Sequence, residues 1–309
     1  MVAAAGFGTL GPLARFATEA GLSAPAFATW RALASVAVMV VLLVLLVRWR
    51  RAPATEWAAV PRRDRFQLAA MGLFVAGTTI SLFYAFERMS IALALTFFYV
   101  YPTVVAVIAV RSHGESLGPR RLAAIALASV GMGLVVLAPE LEQGGLRIEP
   151  WGVAFALAGG ACQAAYALTA ARGYASVPAF QAATLIRVAA VGVYALILVP
   201  LVVVLGDVSQ LIEPLVSAET WPIIIVAGTL GAALPTTALV AGYRVVGPTR
   251  GAILMLFEPV VGVLLAVLLL AERPTLLQLL GGSLVLVGAG LAQLSPPTAP
   301  GTRGPAVAE

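Results

Sequence analysis

Tyr101-Pro102-Thr103-Val104-Val105 and, 157 residues later, Glu258-Pro259-Val260-Val261-Gly262 open two matching stretches of this chain. Residues 101–134 align without a gap onto 258–291, with Pro102 on Pro259, Glu115 on Glu272, Gly131 on Gly288, Gly133 on Gly290 and Leu134 on Leu291. Each copy reads as an apolar helix, a short turn holding one glutamate, and a second apolar helix ending in Gly-x-Gly. Two matching halves in an apolar chain are a recurring plan of secondary transporters, in which the solute is held where the halves meet.

The medium follows from composition. Of the 309 residues, 61% are hydrophobic and 11% charged, and the mean hydropathy is +1.00. One soluble core cannot hide that much apolar surface, whereas a bilayer asks only for stretches of roughly 20 apolar residues. The pattern predicts an all-α integral membrane protein of ten spans, at about 2–20, 27–47, 66–86, 91–110, 119–138, 151–171, 178–204, 221–243, 249–270 and 275–294. Five spans per half is an odd number, so the second half enters from the opposite side and the repeats are inverted. The expected organisation is a first five-helix repeat (1–138), a periplasmic linker (139–150), a second repeat (151–294) and a disordered cytoplasmic tail (295–309). The first span lacks a charged leader and a small-residue cleavage site, so it is read as a true span and not a signal peptide.

All 19 basic residues are arginines. Thirteen of them, including Arg48, Arg50, Arg51, Arg62, Arg63 and Arg65, fall on one side, against Arg88, Arg147 and Arg273 on the other. By the positive-inside rule the thirteen lie in the cytoplasm, together with both termini. Cys162 is the only cysteine and His113 the only histidine, which excludes the common intramembrane metal and haem chemistries. No Ser-His pair or aspartate dyad lies suitably within the spans, so no enzyme is expected. A chain without lysine has no Walker-type phosphate loop, so ATP does not drive it directly.

Polar groups inside spans carry the functional information, because an ionisable side chain in hydrocarbon costs several kcal/mol unless paired or facing water. Glu258 lies eight residues past Arg250, roughly 12 Å into span 9 and near mid-depth. Pro259 follows it and frees the carbonyl of Met255, as Pro102 frees that of Phe98. Tyr101 falls opposite Glu258 by the repeat, and with Phe97 and Phe98 it predicts an aromatic face. In span 6, Gln163 and Tyr166 share a face with Gly159 and Gly160, which suits either cavity lining or helix packing. Arg15 and Glu19 are spaced for a local ion pair. Arg31 and Arg187, a turn or two inside spans 2 and 7, are expected to snorkel to the interface, the alternative being that one binds a substrate carboxylate.

The run Glu258-Pro259-Val260-Val261-Gly262-Val263-Leu264-Leu265, then Ala271-Glu272-Arg273, Leu279-Leu280-Gly281-Gly282 and Gly288, resembles the second repeat of the drug/metabolite transporter superfamily. More narrowly it is similar to the bacterial EamA-type transporters, and Tyr101-Pro102 through Glu115 and Gly131 resembles the first copy of the motif. Two departures are Phe7-Gly8, where members often carry Trp-Gly, and a span 6 whose family aromatics are reduced to Tyr166. The resemblance implies a multi-pass carrier of the bacterial inner membrane that exports or exchanges small metabolites, amino acids among them, by alternating access. It implies no cofactor and no nucleic-acid partner, and it leaves proton coupling open. Glu258, Tyr101, Phe98, Gln163 and Tyr166 are the expected substrate-binding residues, with Pro102 and Pro259 as helix breaks for gating. The rival readings are a lipid or lipid-precursor flippase of the same superfamily and a facilitative channel.

Overall fold

The computed structural model describes residues 1–49, 51, 53–112, 118–142, 148–172, 174, 176–205, 212, 218–271 and 273–294. His113, Glu115, Glu272, residues 143–147 of the 139–150 linker and the 295–309 tail lie outside them. Nine helical stretches among the described residues are long and apolar enough to cross a membrane. The tenth expected span is present as two short helices, α1 (Val2–Gly8) and α2 (Leu10–Glu19), broken at Thr9. Thr9 turns its backbone N–H and its hydroxyl back onto the Gly6 carbonyl. Pro12 then supplies no N–H to continue the ladder from Gly8.

α3 (Ala24–Arg48) and α4 (Arg62–Arg88) follow as long, unbroken spans. Span 4 is split into α5 (Ile91–Phe98) and α6 (Tyr101–Ser112). α7 (Pro119–Glu142), α8 (Pro150–Arg172) and α9 (Ala179–Leu205) are continuous. Span 8 consists of α10 (Trp221–Gly228), a π-turn at Thr229–Ala233 and α11 (Leu234–Val246). Span 9 is split into α12 (Pro248–Met255) and α13 (Glu258–Leu270), and α14 (Leu276–Leu294) closes the fold. Gly247, at φ 82°, makes the one-residue turn between α11 and α12, a backbone geometry that a side chain would strain.

Spans 4 and 9 break for one reason. Pro102 and Pro259 each sit second in the helix that follows, where a missing N–H costs nothing. Their rings would collide with the carbonyls of Phe98 and Met255 had the preceding helix simply continued. The chain tightens instead: Val100 bonds to Phe97 and Phe257 to Leu254, three residues back.

The two halves meet along α7 and α14. A Cβ on Gly131 would lie 2.5 Å from the Gly281 carbonyl oxygen, and one on Gly281 would lie 2.5 Å from that of Gly131. A Cβ on Gly288 would lie 2.8 Å from the Ala124 carbonyl oxygen. The offset of 157 carries Gly131 onto Gly288 and Ala124 onto Gly281, so these contacts exchange under the repeat. Close approach of backbones through small residues is how helices associate in lipid. The second glycine of each Gly-x-Gly behaves differently, because Gly133 and Gly290 would meet nothing within 4 Å. Apolar side chains such as Val41, Leu196, Leu264, Leu268 and Leu279 are more than half exposed on the outer surface, as suits a lipid-facing belt, and Trp49, Trp57 and Trp151 stand exposed near helix ends.

Gly131→Val should therefore lower stability by about 1–3 kcal/mol through overpacking, seen as a lower melting temperature of the detergent-solubilised protein. Gly133→Ala should melt with the parent. Equal melting of all three proteins would refute the distinction.

Candidate functional site

The broken turns of spans 4 and 9 carry the same four-residue register, Phe98–Tyr101 and Met255–Glu258, and they face each other inside the bundle. Phe98, Tyr99 and Tyr101 are at most 8% exposed and share one buried cluster with Met255, Leu256, Tyr166 and Tyr243. Glu258 heads α13 and is half-buried as a residue. The Tyr99 hydroxyl points at that carboxyl, and Tyr101 and Tyr243 lie within its electrostatic reach. The rings of Phe98 and Tyr101 are 5.4 Å apart. The freed carbonyl of Phe98 turns toward α8, where a Cβ on Gly160 would come within 2.9 Å of it. The Glu258 carbonyl stands in the same relation to Gly8 of α1, also 2.9 Å. Glycine at both positions lets the two backbones approach closely, at Gly160 beside the carbonyl that Pro102 frees.

Of the residues expected from sequence, Glu258, Tyr101 and Phe98 come together at the paired breaks. Tyr166 stacks edge-on against Tyr243 with ring centres 6.3 Å apart. Gln163 is half-buried on α8, outside these ring contacts. Phe97, expected on the same aromatic face, packs instead into a separate cluster with Leu93, Met89 and Ala156. The break at Tyr99–Val100 rotates the register, and Tyr99 takes the inward place. The i, i+3, i+4 spacing assumed an intact helix and so missed Tyr99. Tyr243 was missed because nothing in span 8 marks which end of its helix meets spans 4 and 6.

Arg15 and Glu19 do pair, Nε to Oε1 at 3.3 Å, with both side chains more than half exposed; such pairs contribute little. Arg31 and Arg187 do not follow their expectation. Both arginines are half-buried, Arg31 on α3 and Arg187 on α9, and Arg187 lies within electrostatic reach of Tyr194 and Tyr166. The Tyr194 hydroxyl donates to Thr79 Oγ1 at 2.7 Å, tying α9 to α4.

Toward the end of the bundle that carries residue 1 the interior is closed. Tyr101, Tyr243, Tyr166 and Tyr174 are each at most 2% exposed, and the last three hydroxyls have no hydrogen-bond partner. Burial pushes the Tyr174 hydroxyl above the usual tyrosine range against the pull of nearby Arg244, which lies over the ring face, 4.2 Å from its centre. Arg244 Nη1 donates to the Val177 carbonyl at 3.0 Å. Outside this plug the two halves are latched. The Thr55 N–H donates to Gln181 Oε1 at 2.8 Å, Gln181 Nε2 returns a bond to the Thr55 carbonyl at 2.7 Å, and the Thr55 hydroxyl donates to the Ser176 carbonyl at 2.5 Å. Ser176 in turn donates to the Asp64 carboxylate. Among the described residues, no group of three or more His, Cys, Asp or Glu side chains could hold a metal.

A bundle of apolar spans in two repeats, with helices broken around a buried acid, defines a multi-pass membrane transporter. The model of the EamA-like transporter family matches residues 1–137 and 150–293, and the chain belongs to that family, within the drug/metabolite transporter superfamily. A solved crystal structure aligns over 94% of this chain and 95% of its own length at a TM-score of 0.71. At 19% identity that likeness speaks for the fold. No curated protein matches the chain.

The latch generates a test. Gln181→Ala removes both amide bonds to Thr55 and should lower stability by about 1–3 kcal/mol, read as a melting shift. An unchanged melting temperature would show that the latch bears no load.

Proposed function

We propose that this chain is a secondary transporter of small metabolites such as amino acids, working as an exporter or exchanger by alternating access. The observation that carries the reading is the pair of mid-depth helix breaks, which set Glu258 and the Phe98, Tyr99 and Tyr101 aromatics against one another. Broken helices at the meeting of two repeats are where such carriers expose backbone and charge to a solute. In this reading the halves are inverted copies, the arginine-rich end faces the cytoplasm of a bacterial inner membrane, and the structure is a state closed to that side. Glu258 meets the solute's amino group or carries a coupling proton. Tyr99 and Tyr101 shape the wall, Tyr166 closes it below, Gln163 contributes from α8, and Pro102 and Pro259 keep the two turns loose for the exchange of states. The protein chemistry needs no cofactor, since positioning and rocking suffice.

Counterflow in liposomes, with a panel of labelled amino acids and small metabolites, tests this directly. Saturable counterflow is expected for one solute class, and Glu258→Gln should lower its rate at least tenfold. Flux without counterflow would indicate a channel. Normal counterflow by the Gln variant across the whole pH range would remove Glu258 from the mechanism. Pro259→Ala should slow turnover with little change in affinity, because it restores a backbone N–H and favours a continuous span 9; unchanged turnover would count against a gating role.

A further inference from the structure

Six of the nineteen arginines fall within residues 48–65, against two acids, Glu56 and Asp64. On α3, Val40, Val44 and Val47 are exposed at helical spacing and lead to Arg48 and Trp49, also exposed. On α4, Arg62, Phe66, Ala69 and Leu73 follow at intervals of four, three and four residues, and all four are exposed. Residues so spaced share one helix face. Each stripe belongs to the lipid-facing belt, and each ends in an arginine at the helix terminus, where a bilayer places its headgroups.

The connection between these helices is held in place. Arg65 Nε donates to the Val60 carbonyl at 2.8 Å and Nη2 to the Ala58 carbonyl at 2.9 Å. The same guanidinium lies 5.2 Å from the centre of the Trp57 ring. Val60 is buried in the central core, while Trp57 stays 51% exposed. Arg51 stands over Trp49 in a similar way, 5.7 Å from its ring centre. Asp64 is occupied by the Ser176 hydroxyl. Among the described residues, none of Arg48, Arg51, Arg62 and Arg63 forms an ion pair. Four exposed cations beside two ordered indoles therefore lack a counter-charge from the protein.

We infer that the arginine-rich ends of α3 and α4, with the connection between them, form a docking surface for anionic phospholipid headgroups. A lipid phosphate meets the guanidiniums of Arg48, Arg51, Arg62 and Arg63 through charge-assisted hydrogen bonds, for which the planar fork of arginine is suited. The acyl chains lie along the two apolar stripes, and Trp49 and Trp57 take the interfacial level that indoles favour. Clusters of four or more basic residues beside a span attract anionic lipid. A zwitterionic headgroup brings its own cation and gains less. A soluble anion finds the charge but not the stripes. The surface lies wholly in the first half, and Thr55 of the same connection is latched to Gln181 of the second. Lipid bound here thus holds one half of the fold to the leaflet.

The inference rests on the membrane fold and not on transport, so binding tests it, and a failure of counterflow leaves it standing. Full-length protein in neutral detergent is melted with added phosphatidylglycerol, phosphatidylcholine or soluble glycerol phosphate. Phosphatidylglycerol should raise the melting temperature by several degrees, the other two should not, and high salt should shrink the shift. Arg48→Gln combined with Arg62→Gln should remove at least half of that shift. Arg111→Gln combined with Arg120→Gln, the same loss of exposed charge at the same end of the bundle, should keep it. Equal shifts with the two lipids, an equal loss in the two double variants, or as large a shift with glycerol phosphate would each overturn the surface. If the first double variant melts lower than the parent without lipid, Arg48→Lys with Arg62→Lys decides the matter. Restored charge should restore most of the phosphatidylglycerol shift, and a lysine variant that folds like the parent without regaining it sinks the inference.

Discussion

Everything in the interior follows from what a proline does to a helix that has no water to fall back on. In hydrocarbon each backbone carbonyl must find a partner inside the protein, yet Pro102 and Pro259 forbid the ordinary partners of Phe98 and Met255 at mid-depth. The fold answers with tight turns at Tyr99–Val100 and Leu256–Phe257 and, at the Phe98 carbonyl, with the bare glycine surface of Gly160, which lets α8 come close. Those turns rotate Tyr99 inward and set Glu258 at a helix start. There the unpaired N–H groups of the first turn favour negative charge, so the break creates the acid's place and eases its presence.

The duplicated register was legible from residues alone, because Pro102 and Pro259 and the Gly-x-Gly pairs recur at a fixed offset and the periodicity of apolar spans is strong. The location of Glu258, Tyr101 and Phe98 at one level was legible for the same reason. Other features were not. A Thr with a proline three residues on, as at Thr9 and Pro12, is a weak local signal beside a long apolar run, so span 1 read as continuous. Phe97 and Tyr99 exchanged places because helical spacing holds only up to a break. The roles of the glycines within each Gly-x-Gly depend on which face of α7 meets α14, and periodicity does not say that. Arg31 and Arg187 are 156 residues apart and share no motif. An isolated arginine near a span end reads most simply as one reaching for the interface.

The polar groups divide the interior into unlike regions. Around Glu258 an acid is surrounded by phenols that can donate to it. Around Arg187 the Nε is buried without a hydrogen-bond partner, beside Tyr194 and Tyr166. Between the second region and the closed end stands a file of tyrosines whose hydroxyls are unsatisfied. Buried polar groups normally find partners, so these hydroxyls mark a packing that holds in one state of the protein and that another arrangement could relieve.

The latch between Thr55 and Gln181 gives that asymmetry a thermodynamic meaning. Thr55 and Asp64 belong to the first half of the chain and Gln181 with Ser176 to the second, so four hydrogen bonds must break before the halves can part at the end that carries residue 1. At about 0.5–1.5 kcal/mol net for each neutral bond, these contacts favour the arrangement in which the halves meet at this end. Three of them join neutral groups, and the fourth, from Ser176, ends on the Asp64 carboxylate. Any arrangement that parts the halves here must recover that margin from contacts made elsewhere.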